Sequence, residues 1–563
     1  MSQRAPLPLI TQAMFPLGVW KNSNFAEAPG ASTATIPAET AKAIAKRFIA
    51  ATLSDFEADS IPYPCVPLAA PGTPENPLRV AIVGSGPAGF YAAEHLLKRN
   101  PAPDPGDLGR EAEESPGIVV DMFDRLPTPF GLVRAGVAPD HPKIKSVIRM
   151  YEKTAAREGF QFFGNVEIGA DITVAELGQR YHAVIYAYGT ATDRRLGIPG
   201  EQLPGSHAAT EFVNWYNAHP DFADQDFDLS VKRAVVIGNG NVAADVARML
   251  ALPRAELDVT DTADHAIEDL AESGIEEIVV LGRRGPAQAA FTNPEVRELG
   301  ELTDADIVID PAEMELDDAS REYFESEDCD PTHRRNVEIF TEFSTREPEG
   351  KPKRVVMRFC CSPVEIKGGD KVESIVIGHN ELYRDGSGAI RARDTGEREE
   401  LECGLVLRSI GYKGVGLEGI PFDPDRGLIP NNGGRVVDPE SGEQVAGHYA
   451  VGWIKRGPSG VIGTNKKDSL DTVNSIFEDL ELGRIPEPSA QTRTPGGEAE
   501  DVAGVIPIAE LLDERGGDHV TYMGWQAIDR AEQAAGEPHG RPRVKFCHVH
   551  EMVEAARESA PAS

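Results

Sequence analysis

The chain contains two glycine-rich fingerprints, each placed directly after a short apolar run. The first spans residues 80–89 (VAIVGSGPAG), and the second spans residues 235–243 (VVIGNGNVA). Glycines in this pattern permit a tight turn and let a pyrophosphate approach the backbone N–H groups at the start of a helix. One fingerprint alone is a weak signal, but two of them about 150 residues apart predict a flavoprotein that also binds a pyridine nucleotide.

Strand-like and helical stretches alternate from Leu78 onward, which predicts parallel βαβ units. We therefore predict an α/β fold with two Rossmann-like dinucleotide-binding domains: a discontinuous FAD domain and an NADP domain inserted into it. The predicted boundaries are an N-terminal extension of unknown role at 1–77, the first part of the FAD-binding domain at 78–189, the NADP-binding domain at 190–409, and the second part of the FAD-binding domain with a C-terminal segment at 410–563.

The composition excludes several classes of function. The net charge is −35 over 563 residues and no basic run interrupts it, so the chain is not expected to bind nucleic acid. None of the six cysteines forms a C-x-x-C motif, which argues against an iron–sulfur cluster, a structural metal or a redox dithiol. No apolar run reaches the roughly 18 to 20 residues of a membrane span, and no secretory or transit peptide is recognised. The prediction is a cytoplasmic protein with reduced thiols, without a membrane or metal partner.

Asp124 follows the apolar run at 118–123, where a dinucleotide fold uses an acidic residue to accept the hydroxyls of the adenosine ribose. Its distance from the first fingerprint is longer than the usual ~20 residues. The segment at 101–117, rich in proline, glycine and acidic residues, is predicted to be a surface insertion that accounts for the excess.

Arg283 and Arg284 follow the apolar run at 278–281 in the second half of the chain. An NAD-specific fold carries an acidic residue after the corresponding strand, whereas a guanidinium can pair there with a 2′-phosphate. The pair therefore favours NADPH. The alternative is a basic turn that faces solvent.

Two further loops are candidates for contact with a flavin. The segment 130–142 carries glycines and prolines without a regular period, and it includes His141, which could position a nicotinamide or be purely structural. The segment 452–465 is glycine-rich and precedes a helix whose N–H groups could face the flavin. Trp453 could stack on the flavin ring or fill core space, and the residues alone leave both readings open.

These motifs together resemble the adrenodoxin-reductase-like ferredoxin–NADP(+) reductases, actinobacterial members included. The resemblance extends from about Leu78 to Val544 and is carried by residues 127–134 (PTPFGLVR), 137–142 (VAPDHP), 238–243 (GNGNVA), 282–286 (GRRGP) and 452–465. It implies FAD and NADPH as cofactors and a ferredoxin as the protein partner. In that family, hydride passes from NADPH to FAD and electrons then pass singly to the ferredoxin.

The resemblance also implies site residues. The FAD positions are Gly84, Gly86, Pro87, Ala88, Gly89, Asp124, Leu132, Val166, Trp453, Gly460, Val461 and Ile462. The NADP positions are Arg194, Asn239, Gly240, Asn241, Val242, Arg283, Arg284, Glu295 and again Gly460. His141 and Glu298 are predicted to form a catalytic couple near the nicotinamide.

Two other functions stay open on the sequence. One is an NADPH-dependent flavin oxidoreductase with a small acceptor, such as a diaphorase or a monooxygenase, and the other is a non-catalytic flavoprotein scaffold. If the partner is a ferredoxin, which is usually acidic, this acidic chain needs a local basic surface. The candidates for that surface are Lys455, Arg456, Lys466, Lys467 and the basic residues at 333–335.

Overall fold

The computed structural model describes residues 70–74, 76–100, 117–489 and 507–557, all of which belong to one compact unit. Residues 1–69 of the predicted N-terminal extension lie outside the described residues. The same holds for the predicted surface insertion apart from Gly117.

A seven-stranded sheet forms the first nucleotide domain, in the order β16-β17-β18-β4-β1-β2-β3. Its parallel strands are almost wholly buried because helices cover both faces, as continuous apolar runs predict. The bounds are β1 Leu78–Val83, β2 Ile118–Phe123, β3 Phe160–Phe163, β4 Ala183–Tyr186, β16 Asn431–Asn432, β17 Arg435–Val437 and β18 Gln444–Ala450.

A six-stranded sheet forms the second nucleotide domain, in the order β6-β14-β7-β8-β10-β9. All of its pairs are parallel, which places the ends of β7 and β8 side by side at one edge. The bounds are β6 Ser206–Ala208, β7 Arg233–Ile237, β8 Glu277–Leu281, β9 Ala305–Ile309, β10 Lys353–Arg358 and β14 Leu405–Arg408. An antiparallel sheet of β11 Cys361–Lys367, β12 Ser374–Arg384 and β13 Ile390–Glu402 is inserted before β14.

The chain passes between the two nucleotide domains twice. The outward connection contains β5 (Thr192–Asp193) and the return contains β15 (Tyr412–Lys413), and these two strands pair antiparallel. The first sheet therefore contains strands that precede the second domain in the sequence and strands that follow it. The predicted α/β fold, with a discontinuous first domain and an inserted second one, is confirmed.

The described helices cover both sheets and extend into a C-terminal segment. They are α1 Pro87–Leu97, α2 Leu132–Ala135, α3 Pro142–Lys145, α4 Ile148–Ala155, α5 Val174–Arg180, α6 Ala209–Tyr216, α7 Asn241–Ala251, α8 Arg254–Leu257, α9 Asp264–Ala271, α10 Asn293–Leu299, α11 Asp318–Glu325, α12 Pro331–Ser344, α13 Trp453–Arg456, α14 Thr464–Glu481, α15 Ile508–Glu514, α16 Tyr522–Gly536 and α17 Val549–Arg557. None of these helices combines the length and the apolar character needed to cross a bilayer.

The C-terminal segment joins the two nucleotide domains through buried charges. The Lys545 ammonium lies 3.2 Å from Asp261 of the second domain and 3.1 Å from the Asn217 side-chain oxygen. Lys145, at the end of α3 in the first domain, contacts the same Asp261 carboxylate at 2.6 Å. Arg134 donates two hydrogen bonds to the carboxylate of Glu532 on α16, and the Glu532 side chain is completely buried. Since an uncompensated buried charge is strongly unfavourable, these pairs depend on one fixed arrangement of the two domains.

Candidate active site

The first fingerprint forms a tight turn whose open side faces the start of α1. Gly84 has φ +105°, and a Cβ there would lie 2.7 Å from backbone atoms of Ala187 and Tyr188. A Cβ on Gly89 would lie 2.3 Å from the Gly84 carbonyl oxygen. By contrast, a Cβ on Gly86 would meet nothing within 4 Å, and α1 begins at Pro87 immediately afterwards. The turn therefore leaves free space at a helix N-terminus, which fits a pyrophosphate.

The second fingerprint repeats this geometry in the inserted domain. A Cβ on Gly238 would lie 2.1 Å from the Ser409 carbonyl oxygen, so only glycine allows β7 and β14 to approach so closely there. Gly240 precedes α7 and again has open space on its Cα. The Asn241 side chain accepts a hydrogen bond from the Thr292 N–H at 2.8 Å. Of the predicted positions, Asn239 and Gly240 form the turn, while Asn241 and Val242 begin α7, and Val242 packs against the domain core.

Asp124 lies where the sequence places it, directly after β2 and beside the first fingerprint. Its Oδ2 accepts hydrogen bonds from the Ser85 N–H at 2.9 Å and the Ser85 hydroxyl at 2.5 Å. Its Oδ1 accepts from the Leu126 N–H at 3.0 Å. The carboxylate therefore stabilises the glycine turn, and its contact with a ribose stays a prediction.

The glycine-rich segment at 452–465 packs directly on the first fingerprint. A Cβ on Gly452 would lie 2.6 Å from the Ala88 Cβ, and the Gly452 N–H donates to the Asp468 carboxylate at 2.6 Å. The Ser469 hydroxyl on α14 donates to the Ala88 carbonyl oxygen at 2.9 Å. The Trp453 ring lies 5.2 Å from that of Tyr412 on β15, so Trp453 also contacts the return connection between the domains.

The other predicted FAD positions differ in exposure. Leu132 and Val461 are large apolar side chains that are 37% and 57% exposed, which leaves both free to contact a bound ring system. Val166 is buried, and its N–H donates to the Asp124 carbonyl oxygen. Gly460 adopts φ +79°, and Ile462 packs against the first domain's core.

Arg283 and Arg284 project from the loop after β8. Among the described residues, neither guanidinium lies within 4.0 Å of an acidic side chain. Arg283 is exposed, while Arg284 is half-buried, and its burial and the charges of Arg283 and Arg391 lower its pKa. Asn380 donates to the Arg283 carbonyl oxygen at 2.9 Å and fixes the loop against the antiparallel insert. The loop therefore presents uncompensated positive charge, which suits a phosphate.

A cavity of about 560 Å³ lies where the two connections meet the segment at 452–465. Arg194 lines it from the outward connection, and its N–H donates to the Gly411 carbonyl oxygen of the return connection at 3.0 Å. Arg426 and Arg456 also line the cavity. The predicted nucleotide residue Arg194 thus faces the same space as the predicted flavin segment.

His141 and Glu298 come from different domains and lie in contact. The His141 Nε2 atom is 2.6 Å from a Glu298 carboxylate oxygen, although 157 positions separate the two residues. On its other side, the His141 Nδ1 atom is 3.8 Å from Glu295 on α10 and 4.0 Å from Asp245 on α7. The predicted couple thus belongs to a larger cluster of charged side chains at the domain boundary.

Comparison with known proteins agrees with this geometry. Residues 78–280 match the family described as Pyridine nucleotide-disulphide oxidoreductase. The chain is 51% identical over 478 residues to the NADPH-ferredoxin reductase FprA of Mycobacterium tuberculosis H37Rv, covering 85% of this chain and 99% of that protein. It is 39% identical over 497 residues to the mitochondrial NADPH:adrenodoxin oxidoreductase of Salvelinus fontinalis, covering 86% and 92%. The chain belongs to the NADPH-ferredoxin reductase family.

A solved member of this family has the same overall structure. The structure of M. tuberculosis FprA in complex with NADPH is similar to this chain with a TM-score of 0.75 and 48% sequence identity, covering 86% of this chain and 100% of that one.

The charged cluster in this member of the family contains residues that the sequence did not reveal as site residues. Arg248 on α7 contacts Asp140 at 2.5 Å and Asp245 at 2.8 Å. It also lies 3.4 Å from Glu295. The one signal in the sequence that could have indicated Arg248 is its spacing of three residues from Asp245 in a segment that is otherwise rich in alanine. The described residues include one group that could hold a metal ion, His141 with Glu295 and Glu298, but the Arg248 guanidinium already supplies positive charge there.

Burial and neighbouring charge perturb the acids of this cluster. Burial, with the charge of Asp245, raises the pKa of Glu295 to about 7. Burial also raises the pKa of Asp245 itself, against the attraction of Arg248. Burial and the charge of Asp245 raise the pKa of Tyr412 to about 12. The cluster therefore holds a carboxyl group that changes its charge near neutral pH.

We expect Glu295→Gln to stabilise the full chain increasingly as the pH rises. The folded-state pKa of Glu295, about 7, lies above the ordinary value of 4.5, so the folded state holds a proton that the unfolded state releases. The wild-type stability then falls as the pH rises through this window, and glutamine removes that cost. The stability difference between variant and wild type should grow between about pH 5 and pH 8 by roughly 1 to 3 kcal/mol. Urea unfolding at both pH values measures it.

Glu268→Gln is the matched control, because Glu268 pairs with Arg254 on an exposed surface. It should show no gain at high pH. A stability difference for Glu295→Gln that is the same at both pH values would contradict the prediction.

Proposed function

We propose that this chain is an NADPH–ferredoxin reductase that uses FAD and NADPH. The observation that carries the proposal is the pair of glycine turns, one in each nucleotide domain, each open in front of a helix N-terminus. The first turn packs against the segment at 452–465, and the second is followed by two arginines that have no acidic partner in the part of the chain that the structure describes. A chain with two such sites holds two dinucleotides at once, and its close relatives bear the name of this activity.

The first domain fits FAD. Gly86 and the start of α1 would hold the pyrophosphate, with Asp124 on the adenosine side. Leu132, Trp453 and the segment 460–462 would contact the ring system. When bound, FAD accepts a hydride from NADPH and can release the electrons one at a time. The protein's task is to bind the two rings against each other and exclude water.

The second domain fits NADPH. Gly240 and the N–H groups of α7 would hold its pyrophosphate, while Arg283 and Arg284 would bind the 2′-phosphate. Arg194 faces the cavity between the domains and would bind the nucleotide on the flavin side. Glu295 would contact the nicotinamide half, where its charge near neutral pH affects binding.

We further propose that His141 and Glu298 orient the nicotinamide. The 2.6 Å contact between them joins a loop of the first domain to α10 of the second, so the couple depends on the relative position of the domains. A histidine held in this way can keep a proton at a defined ring nitrogen. The cytoplasmic location remains a prediction of the sequence.

The partner is an acidic iron–sulfur protein that docks beside the flavin segment. Two of the proposed basic residues, Lys455 and Arg456, point inward: Lys455 contacts Asp468 at 2.8 Å, and Arg456 contacts Asn465 at 2.9 Å. Lys466 and Lys467 are exposed at the start of α14, near the exposed Val461. We therefore assign the docking face to these two lysines.

The reductase activity is tested by NADPH-driven electron transfer to a ferredoxin, with cytochrome c as the final acceptor and ferricyanide as the direct one. We expect salt between about 50 and 500 mM to slow the ferredoxin reaction severalfold and leave the ferricyanide reaction nearly unchanged, because salt screens docking between opposite charges. Replacing Lys466 and Lys467 by glutamate should also slow only the ferredoxin reaction. Lys232→Glu, on an exposed lysine of the inserted domain, is the control.

Ferricyanide reduction without a ferredoxin-dependent rate would instead indicate an oxidoreductase with a small acceptor. Failure of both reactions would indicate a scaffold. Equal salt sensitivity for both acceptors would contradict the docking face alone.

Arg284→Ala should narrow the preference for NADPH over NADH. A hydrogen bond to a charged group contributes roughly 1.5 to 3 kcal/mol, so its loss should lower the efficiency with NADPH about 10- to 150-fold. We expect the KM for NADPH to rise, while kcat and the kinetics with NADH stay near the wild-type values. Arg354→Ala, on an exposed arginine of β10, is the control. An equal loss with both cofactors would mean that Arg284 supports the fold and does not bind the 2′-phosphate.

His141→Gln should slow flavin reduction by NADPH more than it weakens NADP+ binding. Glutamine can still form a hydrogen bond with Glu298, but it lacks the planar ring that the cluster holds. Stopped-flow absorbance gives the reduction rate, and titration with NADP+ gives the dissociation constant. An unchanged reduction rate would remove His141 from the proposed mechanism.

A further inference from the structure

Arg248 is the cation that contacts most members of the charged cluster. It lies on α7 with only 3% of its surface exposed. Its Nε and Nη2 atoms contact both Asp140 oxygens at 2.5 and 3.2 Å, and Nη2 contacts Asp245 at 2.8 Å. Its Nη1 lies 3.4 Å from Glu295 and 3.7 Å from Glu298. The side chain therefore links the loop of the first domain to two helices of the second.

Arg248 also contacts the His141 ring. Its Nη2 atom lies 3.4 Å from the His141 Nδ1 atom. A guanidinium can only donate hydrogen bonds, so a favourable contact requires Nδ1 to be the acceptor. The ring proton then resides on Nε2 and is donated to Glu298 at 2.6 Å. This arrangement satisfies both ring nitrogens.

The remaining neighbours of Nδ1 favour the opposite tautomer. Glu295 and Asp245 approach Nδ1 to 3.8 and 4.0 Å, and both carboxylates could accept a proton donated from that nitrogen. Arg248 binds both of these carboxylates and places its own N–H group toward Nδ1. The direction of the His141 proton thus depends on a residue in the helix after the second fingerprint.

We propose that Arg248 is a positioning residue that fixes the His141 tautomer and holds the His141 loop against the NADP domain. Its effect on the rate of flavin reduction rests on the proposed function. The tautomer itself is a property of the oxidised protein without NADPH. The two parts can therefore fail separately.

The tautomer is measured by 15N NMR on the FAD-loaded full chain with 15N-labelled histidine. The His141 signals are assigned by their loss in His141→Gln. In the wild type we expect Nδ1 to be unprotonated and Nε2 protonated. In Arg248→Met, Nδ1 should become protonated in a large fraction of molecules, because Glu295 and Asp245 then attract the proton. An Nδ1 that stays unprotonated in this variant would overturn the proposal.

Two more variants separate positioning from general loss of stability. Arg248→Lys keeps the charge, but a single ammonium cannot bind Asp140 and reach Nδ1 through separate nitrogens, so we expect partial protonation of Nδ1 in a folded protein. Asp140→Asn removes one anchor of Arg248 and should give a smaller shift of the same sign. If Arg248→Met does not fold, these two variants decide, and wild-type signals in both would overturn the proposal.

The kinetic part is tested in the same variants. Misplacement of a positioning group can cost about tenfold to a hundredfold in rate, so Arg248→Lys should slow flavin reduction by at least the lower figure. The dissociation constant for NADP+ should change much less. Arg435→Lys, on a half-buried arginine that pairs with the buried Asp479 elsewhere in the first domain, should leave both the tautomer and the rate unchanged. A changed tautomer with an unchanged rate would overturn the kinetic part alone.

Discussion

The relative position of the two nucleotide domains is the constraint on which the rest of the molecule depends. Hydride transfer needs reacting atoms about 3 to 3.5 Å apart, and in the proposed function each nucleotide is bound by a different domain. Short connections alone do not fix such a geometry. Here buried ion pairs do so, because Asp261 of the second domain meets Lys145 of the first and Lys545 of the C-terminal segment. Any rotation of the domains would separate charges that are not exposed to water.

The candidate site at the domain boundary contains several acidic side chains, and their negative charge is compensated there. Asp140, Asp245, Glu295 and Glu298 converge on the domain boundary, and Arg248 is the cation that contacts all four. One guanidinium cannot neutralise four carboxylates, so the remaining charge is reduced by raised pKa values, as at Glu295. A surplus of acid at this boundary therefore places a proton-binding group next to the position expected for the nicotinamide.

The sequence predicted the parts of this arrangement that have a local pattern. Both glycine turns, the acid after β2 and the arginine pair after β8 follow directly from strand–turn–helix spacing, because each depends on residues that are close along the chain. The fold class and the inserted topology follow from the order of these units. The docking-surface hypothesis for Lys455 and Arg456 rested on their position near the flavin segment in the sequence, and it does not fit the structure, because Asp468 and Asn465 hold the two side chains inward.

The cluster around Arg248 could not be derived in the same way, because its partners come from distant segments. Asp140 is 108 positions away from Arg248, and nothing in the spacing of either segment indicates the other. The pair at positions 245 and 248 resembles an ordinary helical ion pair on a solvated face. Only the packing of α7 against the loop of the first domain buries it, and burial turns a surface ion pair into one that orients a histidine. What distinguishes a buried ion pair from a surface one here is the domain interface, and a local sequence pattern does not show which segments meet at that interface.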